Sequence, residues 1–238
     1  HLIDGMPLRQ AEANWTPLRL NARPLFNVSM GYLGYVVPAI FVLILQQTLL
    51  LAGGLLGAAS NEAGRPQRSG ELWARFLSLF LIYVLLAMFY MGACFEYYGV
   101  VRNADLLHLL IMILGFVAAS SALAVLLGVS IRRRELVAPI VMLSSLPMVF
   151  TAGFVWPVEA LPGLVRAVSQ LAPRTAAIPG FLKLNQMHAE FSQVSHHFMM
   201  LIVLTIAYMV AAEWLAGRQP ATKAISIGAP EAAAEVEC

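Results

Sequence analysis

Residues 32–59 read YLGYVVPAIFVLILQQTLLLAGGLLGAA. No charged side chain occurs between Ala39 and Leu56, and a helix of roughly 20 apolar residues is long enough to cross the hydrocarbon core of a bilayer. Tyr32 and Tyr35 stand at the beginning of the run, as is typical of aromatic side chains at the membrane–water interface. The stretch therefore predicts a transmembrane α-helix.

The composition of the whole chain supports this interpretation. Of its 238 residues, 60% are hydrophobic and 12% are charged, whereas soluble domains carry about 25% charged residues. The net charge of +2 is uninformative as a total, and no nucleic-acid partner is expected. Cys94 and Cys238 are far apart and form no disulfide or metal-binding pattern. The chain is predicted to be an integral membrane protein in contact with the lipid bilayer.

Further apolar runs predict an all-α fold, a polytopic membrane helix bundle of five transmembrane helices plus a short re-entrant or interfacial helical hairpin. The expected spans are residues 32–59, 72–95, 106–130, 136–154 and 198–215 of a transmembrane domain at residues 32–217. The third span is rich in small residues, which let helix backbones approach closely in lipid. We expect residues 1–31 to end an extracytoplasmic domain of a longer protein, and residues 218–238 to form a cytoplasmic tail.

Residues 155–173 do not fit a simple span. Their apolar residues recur at helical spacing opposite two polar residues, Arg166 and Gln170. This amphipathic helix is too short to cross the bilayer, so it should lie at the interface or dip into the membrane and return. We therefore predict a re-entrant element at residues 155–173. Its turns are expected at Pro157, Pro162 and Pro173.

Basic residues indicate the orientation of the bundle. In a five-span arrangement, the loops after the first and third spans and the segment after the fifth lie on one side of the membrane. These segments carry Arg65, Arg68, Arg132, Arg133, Arg134, Arg218 and Lys223. The short loop on the other side has Arg102 alone. Because short cytoplasmic loops are enriched in Lys and Arg, we predict a cytoplasmic C-terminus and an extracytoplasmic residue 1.

An intramembrane polar patch, Gln46, Gln47 and Thr48, interrupts the first span. Polar side chains at this depth favour a protein-facing partner over lipid. The patch could therefore form hydrogen bonds between helices or line a transport path. We favour the packing role.

Motifs for catalysis or for an internal energy source are missing from the sequence. It has no GxxxxGK[ST] phosphate loop, no HExxH, no GxSxG and no CxxC. One group of residues could be imagined as a metal site, but its spacing matches no standard ligand pattern, and we expect no bound metal there. These residues are His188, Glu190, His196 and His197. Ion-coupled transporters usually bury ionisable groups near the midplane, but Glu96 and Glu213 lie near span ends. If the chain moves a solute, its energy must come from a partner.

Short motifs then resemble a known family. Residues 24–27 read PLFN and precede the proline-containing first span, and GFVWP at 153–157 and LAP at 171–173 follow later. In this order they resemble the ABC-2 type transporter permeases, especially the multidrug-efflux-like branch of bacterial inner membranes, over roughly residues 24–217. The resemblance implies that the chain supplies spans two to six of six. It also implies a homo- or heterodimer of permeases driven by separate ATPase subunits that bind ATP and Mg.

The resemblance further implies a cytoplasmic coupling motif after the first span. The matching stretch at residues 61–66 reads NEAGRP, which keeps a glycine but lacks the threonine usual in the family. Candidate residues for coupling to the ATPase are Glu62, Gly64, Arg65 and Arg68. The alternative is that these charges only follow the inside-positive rule.

These observations predict the permease subunit of an ATP-binding-cassette exporter, located in the bacterial inner membrane, with no cofactor and no enzymatic activity of its own. Small amphipathic or drug-like molecules are the expected substrates, for efflux from the cytoplasm or inner membrane. One alternative is a non-transporting membrane scaffold or assembly protein. Another is a membrane-embedded enzyme, which the lack of an acid, base or metal constellation disfavours.

Overall fold

The computed structural model describes residues 33–97, 105–151, 162–187 and 191–218. Over these ranges all regular secondary structure is helical, so the predicted all-α class is confirmed for this part of the chain. The helices are α1 (Leu33–Glu62), α2 (Ser69–Phe89), α3 (Leu106–Ser130), α4 (Val137–Phe150), α5 (Gly163–Ser169), α6 (Pro173–Met187) and α7 (Phe191–Arg218).

Four helices are long and apolar enough to cross a membrane. These candidate spans are Val36–Glu62, Ser69–Tyr97, Leu106–Ser130 and Phe191–Arg218. They correspond to the first, second, third and fifth spans predicted from the sequence. The helix of the fifth span begins at Phe191, earlier than the apolar run predicted at residues 198–215. The chain is therefore a multi-pass membrane protein.

The predicted fourth span corresponds to a shorter helix. Helix α4 has 14 residues, or about 21 Å of helix, compared with a hydrocarbon core of roughly 30 Å. It contains Pro147 near its end, and residues 152–161 lie outside the described ranges. The count of five spans is therefore not confirmed.

Helix α3 forms the centre of the bundle. It packs against α1, α2, α6 and α7, and most of its residues are buried. By contrast, α2 and α7 leave much of their apolar surface exposed, including Leu77, Leu81, Leu85, Val203 and Ile206. An outward apolar surface of this kind is expected where a helix faces lipid.

Small residues bring α1 and α3 into backbone contact. A Cβ atom placed on Gly57 would lie 2.4 Å from the Cα of Gly128. One turn earlier, a Cβ atom on Gly53 would lie 2.6 Å from the Cβ of Ala124. Two small residues four positions apart on each helix therefore form the contact, as in other closely packed membrane helices.

Helix α2 continues beyond Phe89 into a π-helical segment, Tyr90–Cys94, and a last α-helical turn, Phe95–Tyr97. Tyr90 and Phe95 both contact the ring of Phe41 on α1, with ring centroids 5.0 Å and 5.9 Å away. A π-helix bonds residues five apart, so the widened turn places both aromatic rings on one face.

Residues near the predicted re-entrant element form two helices of different character. Helix α5 has seven residues, and six of them are exposed. Helix α6 has 15 residues and packs against α1, α3 and α7, with Ala177, Ile178 and Leu184 buried. The sequence analysis did not predict α6 as a separate buried helix.

Candidate functional site

The loop between α1 and α2 begins at a tightly closed helix end. Gly64 has a φ of +64°, a left-handed conformation that glycine adopts without the strain caused by a Cβ. The amide of Arg65 donates to the Ser60 carbonyl at 3.0 Å, and the amide of Gly64 donates to the Asn61 carbonyl at 3.1 Å. These two bonds form a Schellman motif. Gly64 therefore turns the chain away from α1.

Asn61 joins the end of α1 to the end of α3. Its side-chain amide donates to the carbonyls of Gly128 and Val129, each at 3.1 Å, and to that of Ile131 at 2.7 Å. The last carbonyls of a helix have no partner within the helix, so Asn61 supplies donors that α3 lacks. The two helix ends are thereby fixed to each other.

Gln67 anchors the middle of the loop and is only 5% exposed. Its side-chain nitrogen donates to the Gly57 carbonyl at 3.3 Å and to Oδ1 of Asn61. Arg75 on α2 donates from Nη1 to Oε1 of Gln67 at 2.8 Å, and from Nη2 to the Ser60 hydroxyl at 2.7 Å. Side chains from α1, α2 and the loop thus form one hydrogen-bonded network.

The candidate coupling residues differ in their surroundings. Oε2 of Glu62 lies 2.7 Å from Nε of Arg134, in a partly exposed ion pair of a kind that stabilises a protein by about 0–1 kcal/mol. Arg65 and Arg68 are exposed, and the described part of the chain offers their side chains no ion pair or hydrogen bond. The loop therefore presents two unpaired cations next to the turn at Gly64.

Other helix ends lie at the same end of the bundle. Glu213 on α7 accepts hydrogen bonds from the Ser69 hydroxyl at 2.9 Å and from the Trp73 ring nitrogen at 2.8 Å. A carboxylate near the N-terminus of α2 is favoured by the helix dipole. Arg132 and Arg133, which follow α3, are exposed. The arginine-bearing segments that follow α1 and α3 therefore lie at the same end of the bundle as the C-terminal part of α7.

The intramembrane polar patch makes three kinds of contact. Gln46 is fully buried, and its Oε1 accepts the backbone N–H of Arg174 at 3.0 Å. The side-chain nitrogen of Gln47 donates to the Ser145 hydroxyl at 2.8 Å. The exposed Thr48 hydroxyl bonds to its own helix, at the carbonyl four residues earlier, at 2.8 Å. The two glutamines thus connect α1 with α6 and α4.

A buried cation completes this cluster. Arg174 is 2% exposed; its Nε donates to the Met148 carbonyl at 3.1 Å and its Nη2 to the Thr151 hydroxyl at 2.8 Å. These groups belong to the C-terminal end of α4, where the helix dipole favours a cation. Burial lowers the pKa of the Arg174 guanidinium to about 10, which leaves it protonated at neutral pH.

The predicted turn prolines are found at helix beginnings where the structure describes them. Pro162 immediately precedes α5, and Pro173 is the first residue of α6. The backbone N–H of a first helical residue makes no hydrogen bond within the helix, so proline, which lacks this N–H, fits there. Several residues considered in the sequence analysis lie outside the described ranges, namely Pro157, Arg102, His188, Glu190 and Lys223.

Sequence reasoning missed Arg174 and the network of Asn61 and Gln67. One signal was available for Arg174, because it directly follows Pro173 and so falls in the first turn of a helix. A cation is disfavoured at that end of a helix, which indicates that its charge is compensated elsewhere. No local pattern distinguished the buried Gln67 from its exposed neighbours.

Comparison with known proteins agrees with this architecture. A family model described as ABC-2 family transporter protein matches residues 2–214, which is most of the chain. No curated protein matches the chain. The chain therefore belongs to the ABC-2 transporter family, whose members are membrane components of transport systems.

Proposed function

We propose that this chain is the permease subunit of an ATP-driven exporter, with ATP and Mg bound by a separate ATPase subunit. Its family and its four long apolar helices support this role. The chain would pair with a second permease protomer in the bacterial inner membrane and export small amphipathic or drug-like molecules. Substrate would move along the interface between the protomers, beneath residues 155–173.

The anchored loop between α1 and α2 is the observation that carries the proposal. Arg65 and Arg68 are exposed, while the buried Gln67 between them is hydrogen-bonded to α1 and α2. A flexible loop would deform when a partner protein moved it. This anchored loop would instead transmit the movement to the helices to which it is bonded, α1 and α2.

The contacts of the loop indicate which helices such a movement would reach. Asn61 connects the loop to the carbonyls at the end of α3, and Glu62 connects α1 to Arg134 just before α4. An ATPase that contacts Arg65 and Arg68 on the cytoplasmic side would therefore act on the ends of α1, α2 and α3 together. In this mechanism ATP binding moves the two loops of the dimer and reorients the spans.

The test is to reconstitute the transporter with its ATPase in liposomes and to compare two double variants. Arg65→Ala with Arg68→Ala should weaken co-purification with the ATPase and reduce ATP-dependent transport, because it removes both unpaired cations of the loop. Arg132→Ala with Arg133→Ala is the matched control, since it removes two exposed cations from the same end of the bundle. The control should retain transport.

Both double variants should remain folded, because surface substitutions usually change stability by no more than about 0.5 kcal/mol. Wild-type transport by the Arg65 and Arg68 variant would overturn the coupling assignment. An equal loss in the two variants would also overturn it, because the charges would then act only through the orientation of the chain.

A further inference from the structure

Arg174 is a buried cation that has no anionic partner among the residues that the structure describes. It is the one charged side chain among the buried polar residues of the described ranges. Its contacts there are a carbonyl, a hydroxyl and the Gln46 side chain, which accepts its backbone N–H. Removing a charge from water without a counter-charge is costly. A group in this position indicates a function beyond packing.

One arm of the guanidinium is unused. Nη1 of Arg174 is buried and has no hydrogen-bond partner among the described residues. Oε1 of Gln47, which belongs to the same cluster around Met148, is also buried and unpaired. Unpaired buried donors are rare in proteins, and each one calls for an explanation.

The protein compensates the charge only in part. The C-terminal end of α4 carries about half a negative charge from the helix dipole, and Arg174 bonds directly to that end through Met148. Because Arg174 also lies in the first turn of α6, where the helix dipole disfavours a cation, its positive charge remains largely uncompensated. An added anion at Nη1 would complete both the charge balance and the hydrogen bonding.

We propose that Nη1 of Arg174 binds the anionic headgroup of an amphipathic substrate. This inference rests on the proposed export function and narrows its substrate class to amphipathic anions such as carboxylates. The hydrocarbon part of such a molecule would remain among the apolar side chains of the bundle, while its headgroup pairs with the guanidinium.

Arg174 is 2% exposed, so an anion can reach it only if part of the bundle moves. We expect the turn between α5 and α6, which directly precedes Arg174, to be the part that moves, and two bonds hold this turn in place. The Thr175 hydroxyl donates to the Ser169 carbonyl at 2.6 Å, and the Tyr208 hydroxyl donates to the Leu171 carbonyl. Breaking the bond from α7 should make the anion site easier to reach.

Binding can be measured with the complete transporter in nanodiscs of zwitterionic lipid. The probes are the fluorescent fatty acid dansylamino-undecanoate and its uncharged methyl ester, with empty nanodiscs subtracted. The acid should bind at least about tenfold more tightly than the ester, since this is the smallest factor that a charge-assisted hydrogen bond typically contributes. Equal affinities in the wild-type protein would overturn the proposal without any variant.

Substitutions locate the site. Arg174→Gln should reduce the acid-to-ester ratio to about one, because the added tenfold came from the charge. Arg166→Gln is the matched control, since Arg166 is exposed on the neighbouring helix α5, and it should keep the ratio. A ratio that survives in a folded Arg174→Gln, or falls equally in both variants, would overturn the assignment.

A further variant covers the case in which Arg174→Gln does not fold. Tyr208→Phe removes the bond to the α5–α6 turn and should speed association of the acid with little change for the ester. No change in the association rate of the acid would refute the proposed access route and, with an unfolded Arg174→Gln, the proposal. Because these assays measure binding without ATP, their failure is distinct from a failure of ATP-dependent transport.

Discussion

Replacing Gly57 with alanine should push α1 and α3 apart. The new Cβ would lie 2.4 Å from the Cα of Gly128, 2.5 Å from its carbonyl carbon and 2.6 Å from its carbonyl oxygen. Favourable carbon–carbon contacts begin near about 3.5 Å, so the helices must separate by roughly 1 Å. Backbone atoms cannot rotate away as a side chain can, and overpacking of this kind costs about 1–3 kcal/mol.

A glycine in open space provides the control for the loss of stability expected from Gly57→Ala. A Cβ on Gly70, near the start of α2, would meet no atom within 4 Å, so Gly70→Ala should leave stability unchanged or raise it by up to about 1 kcal/mol. We expect the thermal unfolding midpoint in dodecyl maltoside, followed by tryptophan fluorescence, to fall for Gly57→Ala only. Equal midpoints for the two variants would refute the close packing of α1 on α3.

Two further predictions concern single positions and use the same measurement. Gly64→Ala should destabilise the protein by about 1–2 kcal/mol, the cost of a left-handed conformation for a residue with a Cβ. The cost is conformational and not steric, because no neighbour lies within 4 Å of that Cβ. An unchanged unfolding midpoint would contradict the helix end described for α1. Gln46→Leu should destabilise the protein by about 1–3 kcal/mol, because the backbone N–H of Arg174 would be buried without an acceptor. Thr48→Val, at an exposed position of the same helix, is the control and should be nearly neutral. Equal effects of the two substitutions would contradict the capping role of Gln46.

The long apolar helices could be predicted because their signal is local. A run of uncharged residues such as 39–56 is long enough to identify a span without knowledge of its neighbours. The ends of the helices were harder to place, since α7 begins at Phe191 with polar residues that the apolar window excluded. The first turns of that helix nevertheless pack against the bundle through Phe191 and Val194, two apolar residues too isolated among polar neighbours to extend the predicted run.

Helix α6 and Arg174 could not be predicted in the same way, because their burial depends on distant parts of the chain. The partners of Arg174 lie 128, 26 and 23 positions away in sequence. Helix α6 also contains Pro179 and polar residues such as Asn185, which lower its apolar signal. The candidate coupling residues, at 62–68, are adjacent in sequence and could be placed together from the predicted end of the first span, whereas the anchoring role of Gln67 depends on contacts with α1 and α2.

The π-helical segment of α2 affects how this chain should be compared with relatives and altered by deletion. In a regular α-helix, positions five apart point about 140° away from each other, so Tyr90 and Phe95 could not both contact Phe41. Removing one residue between them would restore the regular repeat and leave the two rings four positions apart, about 40° from each other. The widened turn at Tyr90–Cys94 therefore accommodates one extra residue without changing the face that Phe95–Tyr97 presents to α1.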